Sequence, residues 1–356
     1  MTFYLSIWFF LFLCALLEIT KIQVVNKITF FIAVFLLFLF AGFRYGIETD
    51  YWSYYRIFNL KENTRGIEPG FYLLIDLYKT YISQYFDGFI FLIALLSISV
   101  KYIFFKDTGS SFYALLIYYT LFYILFEYNA IRQGIAVSFL LIASNYIKDK
   151  QWKKYLFFVL IASVFHISSL LFLPVYFFAV KTIHIKVVSF FILFAFIIRI
   201  FLLPVITILL LNVSDIIISK FINQPLLYNR VSDLLHYFIT DIEKLINIGF
   251  IRRFVVLLLF VYLNGKKRIN NIYFNIYLFG YILYIIFMGN VVLSIRFSVP
   301  FEIFMAPMFA SVIKNNISTW KTINVFGILS LMLLLLFIST LRNGNAIPYQ
   351  TFLNIF

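Results

Sequence analysis

Ten apolar runs, each about as long as a helix that crosses a lipid bilayer, dominate this chain. A transmembrane helix needs roughly 17 to 25 apolar residues. The runs cover about residues 3–19, 28–43, 85–104, 110–126, 130–147, 187–211, 249–264, 272–288, 296–313 and 321–341. Only 12% of the 356 residues are charged and 63% are hydrophobic, so most of the chain needs lipid as its solvent. The sequence predicts an all-α polytopic transmembrane helix bundle of about 10–12 membrane segments, forming a single integral membrane domain over residues 1–356.

Two further segments do not read as ordinary spans. Residues 67–82 mix aromatic side chains with Asp76 and Lys79, which favours an interfacial helix. Residues 155–180 are long for one span and short for two, and His166 lies near their centre. We therefore expect a re-entrant hairpin of two half-length helices there, with its non-helical tip near His166 either buried in protein or lining a wet cavity.

Lysine and arginine are segregated along this predicted topology. Six short connections hold 14 of the 18 lysines but only one of the 11 arginines, which predicts that these connections face the cytoplasm. They are residues 20–27, 101–106, 148–154, 181–186, 264–270 and 314–321. Both termini, the outer loop and interfacial helix at 44–84, and a large outer loop at 212–248 then face the other side.

The remaining ten arginines fall on the outer side or inside membrane segments. Arginine presents a rigid five-donor fork that matches phosphate and carboxylate oxygens, whereas lysine is a flexible, well-hydrated point charge. This distribution favours an anionic ligand at the outer face. For each of them the alternative is contact with lipid headgroups or pairing with an acidic residue, namely Glu48, Asp50, Glu62, Asp233 or Glu302.

Several polar positions stand out as candidate site residues. Asn129, Arg132 and Gln133 are spaced at i, i+3 and i+4, which predicts one shared face at the outer end of a helix. Arg296 lies just inside a predicted span, with Glu302 as a possible partner. His166 is one of only three histidines, and a histidine can transfer protons near neutral pH.

Other classes of chemistry lack their motifs. The chain has no GxxxxGK[ST] loop, no HExxH and no GxSxG, and its single cysteine, Cys14, lies inside an apolar run. We therefore predict no metal site and no cofactor. The net charge of +14 is not accompanied by a nucleic-acid-binding module, so no nucleic acid is expected as a partner.

Five motifs in a fixed order carry a family resemblance. They are FRYGIETDYWSYYRIF from residue 43, EPGFYLLI from 68, NAIRQGIAVSFLLIAS from 129, FHISSLLFLPVYF from 165 and RFSVPFEIF from 296. Together they resemble the EpsG-like branch of the Wzy polysaccharide polymerases, which extend O-antigen, capsule or exopolysaccharide chains. In the first motif Ile47, Glu48 and Thr49 fill the interval between Gly46 and Asp50.

The resemblance implies a GT-C-like fold and a metal-independent glycosyltransferase at the outer, periplasmic face of the bacterial inner membrane. Its donor would be an oligosaccharide linked to undecaprenyl diphosphate, and a chain-length regulator protein is an implied partner besides the lipid bilayer. Because the acceptor hydroxyl needs a base, Asp50, Glu48 and His166 are the catalytic candidates. The candidates for substrate or diphosphate binding are Arg44, Tyr51, Arg56, Asn129, Arg132, Gln133, Arg230, Arg252 and Arg296.

Two other functions use the same residues differently. A transporter or flippase of a lipid-linked saccharide would bind phosphate through the arginines and would need no base. A membrane O-acyltransferase would use His166 on a sugar hydroxyl. No inverted repeat is evident in favour of transport, and the number of arginines speaks against acyl transfer.

Overall fold

The protein is an all-α, multi-pass membrane protein. Its computed structural model describes residues 1–20, 25–60, 68–108, 110–205, 248–265, 269–288, 290–315 and 320–351. Those residues contain no β-strand, only an isolated bridge between Arg44 and Thr351. The predicted fold class is therefore confirmed. Residues 212–247 of the predicted large outer loop lie outside the described residues.

The described part of the chain folds into fifteen α-helices. The first seven are α1 Thr2–Ile19, α2 Lys27–Gly42, α3 Tyr51–Leu60, α4 Pro69–Tyr81, α5 Phe86–Phe105, α6 Ser111–Tyr118 and α7 Ile131–Lys148, and a π-helix over Tyr119–Asn129 continues α6. The next three are α8 Trp152–Phe165, α9 Val175–Phe178 and α10 Ile185–Ile197, with a 3₁₀-helix over Ile167–Phe172 before α9 and a π-helix over Ile198–Leu202 after α10. The last five are α11 Ile248–Gly265, α12 Asn271–Phe287, α13 Val291–Glu302, α14 Met305–Asn315 and α15 Trp320–Asn343.

Five of the described helical stretches are long and apolar enough to cross a membrane. They are Thr2–Ile19, Phe86–Phe105, Ser111–Asn129, Ile185–Val205 and Val292–Ile313. Four shorter apolar helices accompany them: Lys27–Gly42, Ile167–Phe178, Asn271–Phe287 and Phe326–Arg342. Each of the ten apolar runs in the sequence falls on a helix, although residues 206–211 of one run are not described. The helix expected within 67–82 is α4.

The reversal expected near His166 is present. Helix α8 ends at Phe165, and His166 adopts an extended conformation before the 3₁₀-helix begins. Tyr155, close to the start of α8, donates a hydrogen bond to the Phe172 carbonyl and packs against Tyr176. The chain has therefore turned back along α8 within about ten residues, with His166 at the tip.

The helix expected to carry Asn129, Arg132 and Gln133 together is interrupted. Asn129 ends the π-helix, Ala130 is non-helical, and α7 begins at Ile131. A Cβ on Gly134 would lie 2.2 Å from the Phe126 carbonyl oxygen, so this glycine lets the two helix ends approach closely. The prediction of one shared helix face was therefore wrong, although the three residues remain near one another.

The lysine pattern predicted that Lys101 belongs to a cytoplasmic connection, and that prediction was wrong. It lies inside α5, is almost fully buried, and pairs with Glu127 at 2.8 Å. The connection that follows α5 begins only at Lys106. A single lysine at the end of an apolar run looks the same in sequence whether it faces water or a buried carboxylate.

Tyrosine hydroxyls tie the helices of the core together. Tyr119 donates to the Tyr4 carbonyl at 3.0 Å, Tyr123 to the Leu37 carbonyl at 2.5 Å, and Tyr128 to the Phe40 carbonyl at 3.3 Å. A carbonyl buried away from water needs such donors, and an aromatic ring supplies apolar area with one polar end. The π-helix thereby joins α1 and α2 and holds the end of α2 next to the loop at 43–50.

A segment far along the chain closes the same end of the bundle. Residues 344–351 lie against the loop that follows α2, where Tyr45 N–H donates to the Gln350 carbonyl at 2.9 Å and Glu48 N–H donates to the Asn345 carbonyl at 3.4 Å. Tyr4 donates to the Ala346 carbonyl at 2.8 Å. This segment forms a wall against the loop that carries Asp50.

Candidate functional site

Segments that are distant in sequence meet at one end of the bundle. They are the loop after α2, the start of α4, the helix break before α7, the tip of the hairpin and the first turns of α13. Asn129 Oδ1 accepts hydrogen bonds from Thr49 Oγ1 at 3.2 Å and from the Asp50 N–H at 3.3 Å. Gln133 Nε2 donates to the Arg296 carbonyl at 2.7 Å. Both predicted ligand residues thus hold other parts of the site in place.

The start of α4 is shaped by the sequence Glu68, Pro69, Gly70. Proline suits the first turn of a helix because its missing N–H would have no partner there. A Cβ on Gly70 would lie 2.7 Å from Val164 Cγ1 and 2.9 Å from the Val164 carbonyl oxygen, so glycine permits close packing of α4 on the last turn of α8. Since Val164 is two residues before His166, this packing brings Glu68 to the tip of the hairpin.

Glu68 bridges two of the predicted site residues. Its Oε1 lies 2.9 Å from His166 Nδ1, and its Oε2 forms an ion pair with Arg132 Nη1. The side chains of Glu68, His166 and Arg132 are 13%, 14% and 23% exposed, so all three are shielded but reachable. The Arg132 guanidinium also lies 5.9 Å from the ring centre of Tyr54. We call Glu68, Arg132 and His166 the Glu68 cluster.

The charge state of Glu68 determines how His166 is oriented. Burial raises the pKa of Glu68, but the hydrogen bond from His166 and the charge of Arg132 outweigh it and leave the pKa below its usual value. An ionised carboxylate only accepts, so the imidazole nitrogen facing it, Nδ1, carries a proton. In the neutral imidazole, Nε2 then has a free lone pair, which is the arrangement of a general base.

Asp50 is half-buried beside two cationic groups. Burial raises the pKa of its carboxyl, while the charges of Arg296 and Arg132 and a hydrogen bond from Thr49 oppose that rise without cancelling it. A carboxyl with a raised pKa binds a proton more readily than an ordinary aspartate. Asp50 is therefore the second group in the site with the chemistry of a base, and it shares Arg132 with the Glu68 cluster.

Arg296 is the cation of this region that remains open. Its side chain is exposed, and among the described residues it forms no ion pair. Glu302, the partner that the sequence suggested, is instead bound by Arg253 Nε at 2.6 Å and approached by Arg252 Nη2 at 3.6 Å. With its backbone held by Gln133, Arg296 can offer its guanidinium to an anion near Asp50.

Arg252 belongs to a second cationic group, on α11 and α13. Arg253 donates to Glu302, and its guanidinium lies 4.0 Å from the ring centre of Tyr284. Ser298 also donates to Glu302, at 2.7 Å. Two arginines against one carboxylate leave an excess positive charge, and Arg252 is the more exposed of the two, at 29%. The predicted role of Arg252 in anion binding stays a prediction.

Three predicted site residues of the first motif point into the protein. Arg44 is buried and donates to the Ala41 carbonyl at 2.8 Å and the Tyr128 carbonyl at 3.4 Å, and burial lowers its pKa. Tyr51 is buried and donates to Asp87 Oδ1 at 3.1 Å.

Glu48 is also buried, and its backbone has a left-handed φ of 70°. Burial, and to a smaller extent the charge of Asp50, raises the pKa of the Glu48 carboxyl group. These positions suit support of the loop better than contact with a ligand.

The two remaining arginines differ in what the structure says about them. Arg56 is exposed on α3, next to the exposed Trp52 and Tyr55, whose rings pack edge to face at 5.7 Å. It lies away from the described contacts of the Glu68 cluster. Arg230 lies outside the described residues, so its role stays a prediction.

Glu68 is the residue of this candidate site that the sequence did not single out. The motif EPGFYLLI contains it, but a glutamate before Pro-Gly is typical of the start of a helix and does not by itself indicate a site. The signal that could have found it is the pairing of that helix start with the histidine in FHISSL. Only the fold shows that Gly70 packs on the turn before His166.

The sequence profile described as the EpsG family matches residues 27–351. This match includes α2 to α15 and every residue of the site described above. No curated protein and no solved structure matches the chain.

Proposed function

Because the chain belongs to the EpsG family, we propose that it polymerises oligosaccharide repeat units by glycosyl transfer from an undecaprenyl-diphosphate-linked donor. The contact of Glu68 with both His166 and Arg132 carries this proposal. It supplies an oriented base beside cationic groups, which are the two things that transfer to a sugar hydroxyl from a diphosphate lipid requires.

In the proposed reaction His166 Nε2 accepts the proton of the acceptor hydroxyl. The hydroxyl oxygen then bonds to the anomeric carbon of the donor while the bond from that carbon to the diphosphate oxygen breaks. The electron pair leaves with the diphosphate lipid, and the proton passes from His166 to solvent. Glu68 stabilises the imidazolium that forms, because its ionised carboxylate remains hydrogen-bonded to Nδ1.

The developing negative charge on the diphosphate needs fixed cations. Arg296 is open for this role. The guanidinium group of Arg132 pairs with Glu68 and is also close enough to Asp50 for its charge to act on that carboxyl group. Charge held by oriented guanidinium groups needs no reorganisation as the bond breaks. The leaving group supplies the driving force, so neither ATP nor a nucleotide sugar is required, and the arginines take the place that a metal ion has in other glycosyl transfers.

Asp50 is the other candidate for the base. It stands on the Arg296 side of the site, where its carboxylate also neutralises the two guanidinium groups. We assign it the role of a charge partner: it neutralises Arg296 and Arg132 in the empty site, and the incoming diphosphate then takes its place beside these two guanidinium groups. Glu48, turned toward Asn345, supports the loop.

We also propose a location and partners. The site end of the bundle faces the periplasm or outside of the cytoplasmic membrane, as the lysine pattern indicates. The lipid-linked donor reaches the site from the bilayer. A chain-length regulator protein is a further expected partner.

Reconstitution of the full chain with a lipid-diphosphate oligosaccharide tests the function. Wild type should give a ladder of products that differ by one repeat unit. Replacement of His166 by Gln should abolish the ladder while donor binding remains, and replacement of His184 by Gln serves as a matched control because His184 only caps the start of α10.

The same assay separates this function from the alternatives. A protein that moves the lipid-linked saccharide across vesicles but never extends it is a transporter, and that result would overturn the proposal. A His166→Gln variant with a normal ladder would leave polymerisation in place but move the base to Asp50.

A further inference from the structure

A buried cation lies behind the site, in the middle of the bundle. Lys101 on α5 is 2% exposed, and its Nζ is 2.8 Å from Glu127 Oε1 and 3.0 Å from the Gly134 carbonyl oxygen. It also bonds to Ser97 Oγ at 2.5 Å and Ser138 Oγ at 2.8 Å. Each N–H of this ammonium group therefore has an acceptor within the protein.

The partners of Lys101 lie on both sides of the helix break. Glu127 belongs to the π-helix that ends at Asn129, whereas Gly134 is in the first turn of α7. Tyr118 and Ser97 donate to Glu127 as well, at 2.5 Å and 3.1 Å. One cation thus connects α5, the π-helix and α7 at the point where the chain is irregular.

The residues between these contacts are those that build the site. Asn129 holds the loop of Asp50, Arg132 holds Glu68, and Gln133 holds the backbone of Arg296. All three lie within the eight residues from Glu127 to Gly134. A shift of the break by a fraction of an ångström would move each of them, and misplacement of about 1 Å can reduce an enzyme's rate about a hundredfold.

Stability alone does not account for this pair. Charges inside a membrane are expensive, and a buried ion pair is often no more stabilising than apolar side chains of the same volume. A pair of fixed charges does, however, define one geometry where apolar packing would permit several. The Lys101–Glu127 pair lies beside the helix break, whose geometry sets the positions of Asn129, Arg132 and Gln133.

We propose that Lys101 and Glu127 are positioning residues for glycosyl transfer: they fix the helix break that presents Asn129, Arg132 and Gln133. The proposal rests on the proposed function. Lys101 never contacts the substrate and acts only through the residues it holds.

Removing both charges together tests the role without leaving one charge unpaired in the membrane. The double variant Lys101→Met/Glu127→Gln keeps the size of both side chains and the bonds from Tyr118 and Ser97. We expect turnover per folded molecule to fall about 10- to 100-fold, and donor binding, which also uses Arg132 and Arg296, to weaken by a smaller factor. The matched control is Thr120→Val, which removes the buried bond from Trp8 to the same π-helix, at 3.0 Å, and should leave turnover close to wild type.

A second measurement does not depend on activity. In a Cys14→Ser background, the substitutions Thr49→Cys and Asn129→Cys replace the contact of 3.2 Å between these two side chains. Their rate of disulfide formation reports the position of the break. It should fall at least about threefold in the double variant and stay unchanged with Thr120→Val, because an inter-residue contact of this kind depends steeply on geometry.

The two measurements separate the two proposals. If wild type extends no chain, the proposed function fails, and the cross-linking still reports whether Lys101 holds the break. Wild-type cross-linking or wild-type turnover in the double variant overturns the positioning role. If the double variant does not accumulate, Ser138→Ala carries the test, since it removes one acceptor of Lys101 and no charge; cross-linking equal to wild type would then overturn the proposal.

Discussion

At the scale of single residues, the site depends on how two carboxyl groups are surrounded. Glu68 is held between His166 and Arg132, so it is kept ionised and orients the imidazole. Asp50 is half-buried with Arg296 and Arg132 as charge neighbours, and burial still raises its pKa. The same type of group therefore serves as an anchor in one place and as a readily protonated acid in the other.

Removing the charge of Glu68 and removing the charge of Asp50 should change the stability of the folded protein in opposite directions. The lowered pKa of Glu68 gives a contribution that is present above the unfolded value of about 4.3 and is lost as pH falls through the folded value. The raised pKa of Asp50 gives a contribution present below about 3.9 and lost as pH rises through the folded value. At pH 7 Glu68→Gln should lower the apparent Tm in detergent and Asp50→Asn should raise it.

Both differences in Tm should shrink as the pH is lowered to about 4, where the folded and unfolded carboxyl groups bind protons more equally. Thermal scans at several pH values measure this. Shifts of the same sign for the two variants at pH 7 would contradict the assigned surroundings.

Arg296 should resist even the replacement that preserves its charge. Lysine keeps one positive charge but loses the planar fork that binds two phosphate oxygens, so Arg296→Lys should reduce kcat/KM for the lipid-linked donor about 100-fold. Arg342, exposed in the last turn of α15, provides the control, and Arg342→Lys should behave as wild type. Equal activity of both variants would show that Arg296 is peripheral.

At the scale of elements, the site is made by close approaches between helix ends. Gly70 lets α4 pack on α8, and Gly134 lets α7 approach the π-helix. Both glycines sit next to residues of the Glu68 cluster in sequence: Gly70 follows Glu68 by two positions and Gly134 follows Arg132 by two. The spacing within the Glu68 cluster is therefore set in part by backbone contacts, which are stiffer than contacts between flexible side chains.

Adding one methyl group at Gly70 should separate Glu68 from His166. A Cβ there would meet Val164 at 2.7 Å, so α4 must move away from α8. We expect Gly70→Ala to lower kcat about tenfold or more. Gly327 on α15 offers the control, because a Cβ there has nothing within 4 Å, and Gly327→Ala should keep activity and gain about 0.5–1 kcal/mol in helix stability. An active Gly70→Ala enzyme would mean that the Glu68 contact is dispensable.

The helices and the hairpin could be predicted from the sequence because apolar length and polar interruption are local properties. The ten runs, α4 and the reversal at His166 all follow from them. The contacts of Lys101 and the inward direction of Arg44 and Tyr51 could not be predicted, since each depends on a partner 26 or more residues away: Glu127, Tyr128 and Asp87. Glu68 was missed for the same reason, as its partners are 64 and 98 residues distant.

At the scale of the whole molecule, polar chemistry is divided between the two ends of the bundle. The site occupies one end. At the other end a cavity of about 270 Å³ is lined by Lys27, Lys106 and Glu18 among others, and Glu18 accepts hydrogen bonds from Ser110 and from the first N–H groups of α6. Lys27 and Lys106 lie at this second end, whereas Arg132 and Arg296 lie at the first; the different roles that the sequence suggested for lysine and arginine stay predictions.

Thiol labelling in intact cells should find the two ends on opposite sides of the membrane. In a Cys14→Ser background, a cysteine replacing the exposed Tyr45 should react with an impermeant reagent, and a cysteine replacing Lys150 should react only after permeabilisation. A cysteine replacing Tyr349 should behave like the one at Tyr45, because residues 344–351 lie against the loop that carries Tyr45. Reaction of positions 45 and 150 from one side would refute the orientation.

The wall formed by residues 344–351 has a consequence for biosynthesis. The loop carrying Asp50 leaves the ribosome early, but its partners Asn345 and Gln350 are translated about 300 residues later, and the bond from Tyr4 of α1 to Ala346 spans 342 positions. The loop can bond to Asn129 once α7 has been made, but its contacts with residues 344–351 form only after the last helix has been translated. Closure of this end of the bundle is therefore a late event in the synthesis of the chain.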